Sequence, residues 1–114
     1  MDFWATTCLP CLIAMPYSKQ LKIDYENKNI EMIYISLDKD RDKWMNSEAN
    51  QKVIPFENSY ILDTRGNNAM IDKFNIQSIP RYMLFDENGR LLQNDSYGPK
   101  TKEIREIFDK YIPT

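Results

Sequence analysis

Apolar and polar positions alternate in blocks along the chain, and each block predicts one secondary-structure element. Residues 1–5 form a short apolar run that is typical of the end of a buried strand. Residues 8–26 place apolar side chains at helical spacing, and Pro16 inside this stretch predicts a kink or an interruption. Residues 30–37 are an almost continuous, β-branched apolar run, which indicates a strand buried on both faces.

The rest of the chain predicts shorter elements. Asp42 is placed to cap a helix, and the turn at residues 86–89 joins two strands of a hairpin. The order of elements predicts an α/β fold, in which a central mixed sheet is flanked by helices on both faces. Short helices are predicted at residues 43–49 and 67–74, and a terminal helix at 101–111. An extended piece is predicted at residues 60–62, and the hairpin strands at 82–85 and 90–94.

Length and composition exclude several classes of protein. A chain of 114 residues fits one domain, residues 1–114. Its net charge of −2 is unfavourable for binding nucleic acid, and no apolar run approaches the ~18–20 residues of a membrane-spanning helix. The absence of histidine excludes Ser-His-Asp and Cys-His catalysis and histidine-ligated metal within this chain. We expect no metal site.

The two cysteines, Cys8 and Cys11, are the candidate reactive residues. They lie at a predicted strand-to-helix junction, where free N–H groups and the helix dipole favour a thiolate. A disulfide that closes so short a loop adds little stability to a fold, so a redox role explains the two cysteines better than a structural role. Two alternatives remain: a pair of inert buried thiols, or half of a zinc site that a second chain completes.

The sequence around these cysteines resembles a known family. Residues 3–11 (FWATTCLPC) resemble the active-site segment of the thioredoxin fold, usually FWAxWCxPC, and residues 78–80 (SIP) resemble its cis-proline loop. Residues 34–38, Trp44 and residues 84–91 are most similar to the TlpA/ResA-type thiol–disulfide oxidoreductases. The resemblance implies a thioredoxin-like fold with a truncated first strand. It also implies dithiol–disulfide exchange with no cofactor beyond a redox-active Cys8–Cys11 disulfide.

The resemblance assigns roles to individual residues. Cys8 matches the attacking nucleophile and Cys11 the resolving thiol. Pro80 matches the cis-proline beside the disulfide, and Ile79 the residue whose backbone pairs with an extended substrate. Asp2 matches a buried carboxylate that accepts the proton of Cys11, although a solvated terminal carboxylate is an equal alternative.

Other residues near the cysteines are expected to shape contacts with substrate. Trp4 is expected to pack under the active-site loop and to limit access to the sulfurs, or to act only as a core aromatic. Thr7 stands where the family usually has tryptophan, and Leu9, next to Pro10, where it has a small residue. Leu9, Leu12 and Ile79 form a predicted apolar rim that suits an extended polypeptide.

The thiolate has no local cation, because no lysine or arginine lies between residues 3 and 17. Activation of Cys8 therefore depends on the end of the helix. We expect a Cys8 pKa below the ~8.5 of a free thiol, but less depressed than in a strong oxidase.

These observations predict that the protein exchanges its dithiol with disulfides of protein substrates. It would act as a reductant, and an upstream dithiol donor would reduce it again. A peroxide reductase is one alternative, although Ala5 stands where peroxiredoxins have threonine or serine and Arg81 is the nearest candidate cation. A non-catalytic thioredoxin-like binding module is another.

The expected location is the periplasm or cell envelope, with the cytoplasm as the alternative. Having no cysteine beyond the redox pair is consistent with an oxidising compartment. We also expect the chain to be a fragment of a longer precursor whose targeting segment is missing here. The oligomeric state is left open.

Overall fold

A short strand, β1 (Asp2–Trp4), lies in the middle of the sheet that organises the fold. The sheet order is β3-β2-β1-β4. On one side β2 (Tyr34–Ser36) runs parallel to β1, and β3 (Ser59–Ile61) runs parallel to β2. On the other side β4 (Arg81–Tyr82) is antiparallel to β1. This is the predicted mixed sheet, and β1 is short but central to it.

The structure is a computed structural model that describes residues 1–63 and 68–112. Helices cover the sheet, and a two-stranded hairpin follows it. The α-helices are α1 (Leu9–Asp24), α2 (Arg41–Met45), α3 (Ala69–Lys73) and α4 (Lys102–Tyr111). The hairpin consists of β5 (Leu84–Phe85) and β6 (Leu91–Gln93). A π-helical turn (Ala49–Val53) and a 3₁₀ turn (Phe56–Asn58) connect α2 to β3.

The core lies on both faces of β1, because successive side chains of a strand point to opposite sides. Trp4 packs on one face with Cys11, Met15 and Tyr34. Phe3 packs on the other face in a cluster with Ile35, Ile76 and Met83. A third cluster joins α1 to α4 through Leu21, Ile104 and Phe108. Burial of all three β1 residues agrees with the prediction that residues 1–5 form the end of a buried strand.

Two predictions about helices need correction. Asp40, not Asp42, caps α2, because the Oδ1 atom of Asp40 accepts a hydrogen bond of 3.1 Å from the backbone N–H of Lys43. α2 therefore begins earlier than predicted, and it ends at Met45, before the π-helical turn. Of the two outcomes predicted at Pro16, the interruption is excluded, because α1 continues through this residue to Asp24.

The predicted strands are longer than the observed ones. Only Tyr34–Ser36 of residues 30–37 pairs in the sheet. The predicted strand at 82–85 divides at Met83, since β4 pairs with β1 whereas β5 pairs with β6. The predicted turn is present, with Gly89 at a φ of 82°. The predicted helix at 67–74 appears as α3, and residue 67 of the predicted range lies outside the described residues. In the described part of the chain, no helix has the length and apolar character needed to cross a membrane.

Candidate active site

The two cysteines form a disulfide at the start of α1, with their Cα atoms 5.3 Å apart. Cys8 is the N-cap residue, and its Sγ accepts a hydrogen bond of 3.3 Å from the backbone N–H of Cys11. The positive end of a helix dipole and an N–H donor both stabilise negative charge on sulfur. The geometry therefore favours the thiolate of Cys8 once the disulfide is reduced.

The two sulfurs differ in their access to solvent. Cys8 is half-buried, whereas Cys11 is only 2% exposed and belongs to the cluster around Trp4 and Tyr34. The difference arises because Cys8 precedes the helix, while Cys11 lies one turn inside it on the side that faces the sheet. A partner in solution can therefore reach Cys8 more readily than Cys11.

The loop that leads to Cys8 is held by a buried carboxylate, Asp38, at the end of β2. Asp38 accepts hydrogen bonds from the backbone N–H of Thr6, at 3.0 and 3.2 Å, and from its Oγ1, at 2.7 Å. It also accepts one from the Oγ of Ser36, whose oxygen in turn accepts from the N–H of Asp38. These bonds fasten the turn before Cys8 to the sheet.

Asp38 positions the loop before Cys8, a role that the sequence analysis does not assign to it. The available signal was a Ser-x-Asp sequence at the end of a buried strand. Carboxyl ends of parallel strands meet at one edge of a sheet, so Asp38 after β2 lies beside Thr6 after β1.

Asp2 is buried rather than solvated. It is 7% exposed and lies between Tyr34 and Tyr82, its cross-strand neighbours in the sheet. Burial raises the pKa of Asp2 from 3.8 to about 7, and the positive charge of the Met1 amine opposes that shift. A carboxyl group with such a pKa exchanges protons near neutral pH. The alternative of a solvated Asp2 is therefore excluded.

The surroundings of Asp2 are polar but incompletely paired. Burial raises the pKa of Tyr34 to about 12, although a hydrogen bond with Ser18 lowers it. A cavity of about 70 Å³ is lined by Asp2, Ser18, Tyr82 and Ser96, among other residues. Within the described residues, Oδ1 of Asp2 and Oγ of Ser96 have no hydrogen-bond partner. The cavity is large enough to hold water, which such buried polar atoms usually bind.

The peptide bond between Ile79 and Pro80 is cis, directly before β4. Ile79 packs against the cluster that contains Cys11 and also against the cluster of Phe3 on the other face of the sheet. Pairing of β4 with β1 thus brings Ile79 to the same core cluster as the disulfide, although about 70 residues separate them in the sequence.

Arg81, the candidate cation for peroxide chemistry, is already engaged. Its guanidinium group donates to the backbone carbonyls of Phe74, Asn75 and Asn94 at 3.2, 3.4 and 2.8 Å. It also lies 3.8 Å from a carboxylate oxygen of Asp95. These contacts tie the end of α3 to the segment after β6.

Not every predicted contact residue faces solvent. Thr7, Leu9 and Pro10 are exposed beside the disulfide, as a contact with substrate requires. Trp4 is fully buried in the cluster that contains Cys11, as expected of a core aromatic, so it supports the site from the core and does not contact a partner directly.

The three members of the predicted apolar rim differ in exposure. Leu9 is exposed, whereas Leu12 and Ile79 are half-buried and pack against the core. Ile13, next to Leu12, is also exposed. In residues 1–63 and 68–112, no group of three or more Cys, Asp or Glu side chains is placed to hold a metal ion.

Comparisons with known proteins agree with this geometry. A family model described as thioredoxin-like matches residues 1–91. The thiol-disulfide oxidoreductase ResA of Bacillus thuringiensis subsp. konkukian is 30% identical over 112 residues, which cover 98% of this chain and 61% of that protein. The thioredoxin-like protein YneN of Bacillus subtilis is 30% identical over 113 residues, covering 93% of this chain and 59% of that protein.

Solved structures give the same fold. A protein from Bacteroides vulgatus whose assigned activity is thiol-disulfide oxidoreductase superposes with a TM-score of 0.84 at 25% identity, covering 96% of this chain and 74% of that one. A protein from Chlorobium tepidum assigned as the thiol:disulfide interchange protein DsbE has a TM-score of 0.71 at 22% identity, with coverage of 96% and 73%. The chain spans 61% of the length of the first curated relative it matches.

Proposed function

Because this chain belongs to the thioredoxin-like family, we propose that it is a thiol–disulfide oxidoreductase that exchanges the Cys8–Cys11 pair with disulfides of other proteins. The observation that carries the proposal is the asymmetry of the pair. Cys8 caps α1 and is partly exposed, whereas Cys11 is buried one turn further along the helix. One sulfur can therefore attack a partner, and the other can release it.

The exchange begins from the reduced pair, with Cys8 as thiolate and Cys11 as thiol. The Cys8 thiolate attacks one sulfur of the substrate disulfide, and the other substrate sulfur leaves as a thiolate. Cys11 then loses its proton and attacks the Cys8 sulfur of the mixed disulfide. The bond from Cys8 to substrate breaks, the second substrate thiolate leaves, and the Cys8–Cys11 disulfide forms. Two electrons pass from the protein to its substrate.

Asp2 is our candidate for the group that accepts the proton of Cys11. Burial raises the pKa of Asp2 to about 7, so its carboxylate can take up a proton near neutral pH and return it to solvent. Both residues lie next to Tyr34, since Asp2 pairs with it across the sheet and Cys11 shares its core cluster. Pro80 and Ile79 are proposed to receive the substrate backbone beside the disulfide, with Thr7, Leu9 and Pro10 as further contacts.

We propose that the reaction runs in the reducing direction, with an upstream dithiol protein as electron donor, in the periplasm or cell envelope. The sequence resemblance to TlpA/ResA-type proteins and the absence of any third cysteine support this assignment.

The decisive measurement is the equilibrium reduction potential of the Cys8–Cys11 pair in defined thiol–disulfide buffers, with Cys8→Ser as the control. A potential near ~−270 mV is expected of a reductant, whereas one near ~−120 mV would show an oxidant. A protein with no two-electron couple would contradict the proposal and favour a binding module. Consumption of peroxide by the reduced protein at a rate that Cys8→Ser abolishes would favour a peroxide reductase instead.

A further inference from the structure

A stripe of exposed apolar side chains runs along α1, away from the disulfide. It consists of Leu9, Ile13 and Tyr17, which are 65%, 55% and 44% exposed, and it is called here the α1 stripe. Residues four apart lie on the same side of a helix, and eight residues advance by about 12 Å. Exposed apolar surface that is contiguous rather than scattered is typical of an interaction site.

The α1 stripe has a defined electrostatic character. No charged residue occurs between Phe3 and Tyr17, so the first two turns of α1 contribute no charge of their own beside the disulfide. At its far end, the ammonium group of Lys100 lies 5.5 Å from the centre of the Tyr17 ring. The stripe thus begins at a reactive sulfur and ends at a positive charge.

The position of the α1 stripe restricts what can cover it. Leu9 directly follows Cys8, so a protein segment seated on Leu9 lies beside the disulfide. A permanent cover, from this chain or from a second copy, would keep other proteins from the sulfur of Cys8 and so prevent the exchange. A partner that binds, exchanges and leaves is compatible with both the exposed surface and the reaction.

We propose that the α1 stripe is the docking site for the segment that adjoins the reactive cysteine of the exchange partner. About 12 Å corresponds to roughly four residues of extended chain. The segment therefore carries about four residues, mainly apolar, beside its cysteine, and an acidic residue beyond them that faces Lys100. This assignment rests on the proposed function, because it concerns the partner of the same disulfide exchange.

The test compares two peptides whose single cysteine carries a 2-nitro-5-thiobenzoate group as a mixed disulfide. In the first peptide four leucine and valine residues and a glutamate follow the cysteine, and in the second serines replace the apolar residues. The reduced protein releases the coloured thiolate from each, and the ratio of the two rate constants measures apolar recognition. Ile23→Ser is the matched control, because Ile23 is 49% exposed on the same helix but about 15 Å further from the disulfide than Ile13.

We expect the apolar peptide to react about tenfold faster than the serine peptide, and Ile13→Ser to reduce that ratio about fivefold. Such a reduction is what the loss of a half-buried isoleucine contact produces. Ile23→Ser should leave the ratio unchanged. Lys100→Gln should reduce about twofold the preference for the glutamate peptide over a version that ends in glutamine.

Two results would overturn the docking assignment while the proposed function stands. One is an equal reaction of both peptides with the unchanged protein, and the other is an equal effect of Ile13→Ser and Ile23→Ser on the ratio. If neither peptide reacts and the protein also fails to reduce 5,5′-dithiobis(2-nitrobenzoate), the proposed function fails and the docking assignment fails with it.

Discussion

Replacement of Asp2 by asparagine tests the electrostatics behind the disulfide through the pH dependence of stability. Burial raises the pKa of Asp2 from 3.8 to about 7 in the folded protein. Between these values the unfolded chain carries the ionised carboxylate, whereas the folded protein keeps it protonated. The unfolded state thus binds fewer protons, so stability falls as pH rises, by about 1.4 kcal/mol per pH unit.

The size of the effect follows from the same two pKa values. Across the whole interval the free energy of unfolding should decrease by about 4 kcal/mol in the unchanged protein. Asp2→Asn cannot ionise, so the variant should lack this loss of stability, although other groups such as the buried Met1 amine still titrate. Relative to the unchanged protein, the variant should therefore gain stability as pH rises. A constant offset from the buried amide does not alter this difference in slope.

The assay is urea unfolding of the oxidised protein at intervals from pH 4 to pH 8, so that no thiol titrates. Asp72→Asn, which makes the same change at an exposed position of α3, serves as the control and should follow the curve of the unchanged protein. Parallel curves for Asp2→Asn and the unchanged protein would refute the reasoning, because they would mean that Asp2 ionises in the folded state as readily as in the unfolded one.

Two further variants test the site itself. Asp38→Ala leaves the N–H and hydroxyl groups of Thr6 without their acceptor. We therefore expect the free energy of unfolding in urea to fall by about 2–3 kcal/mol. Thr6→Ala removes one of these bonds and leaves the carboxylate in place, so it should lower the free energy of unfolding by less. Equal losses in the two variants would contradict this ranking. Cys11→Ser removes the resolving thiol, so its Cys8 should stay joined to a substrate peptide as a mixed disulfide that intact mass spectrometry detects. Prompt release of the peptide from this variant would show that Cys11 is not the resolving residue.

The disulfide could be placed from sequence, but the group that holds it in position could not. A Cys-x-x-Cys after an apolar stub indicates a strand-to-helix junction from local spacing alone. Asp38 contacts Thr6 across 32 residues of sequence, and such a contact depends on which strands become neighbours. The helix cap was misplaced for a related reason. Asp40 and Asp42 are both acceptable caps by residue type, and the backbone conformation of the loop after β2 selects Asp40.

The exposed face of α1 could likewise not be predicted from sequence alone. Apolar residues occupy most positions from Leu9 to Tyr17, so their spacing does not show which face of the helix is buried. Packing of Cys11 and Met15 against Trp4 orients the helix, and this orientation turns Ile13 towards solvent while Leu12 contacts the core. Of the predicted rim, Leu9 is exposed, whereas Leu12 and Ile79 are both half-buried against the core.

The sequence by itself determined the α/β fold class and the Cys-x-x-Cys pair, because local periodicity and the spacing of two cysteines carry that information, and the resemblance of residues 3–11 identified the family. The tertiary structure decided the state of Asp2, the burial of Trp4 and the anchoring of Thr6 by Asp38. Each of these depends on pairing β1 with strands far along the chain, which removes water from both faces of a three-residue segment. Desolvation is a property of the assembled sheet, and so is the raised pKa that it imposes on Asp2.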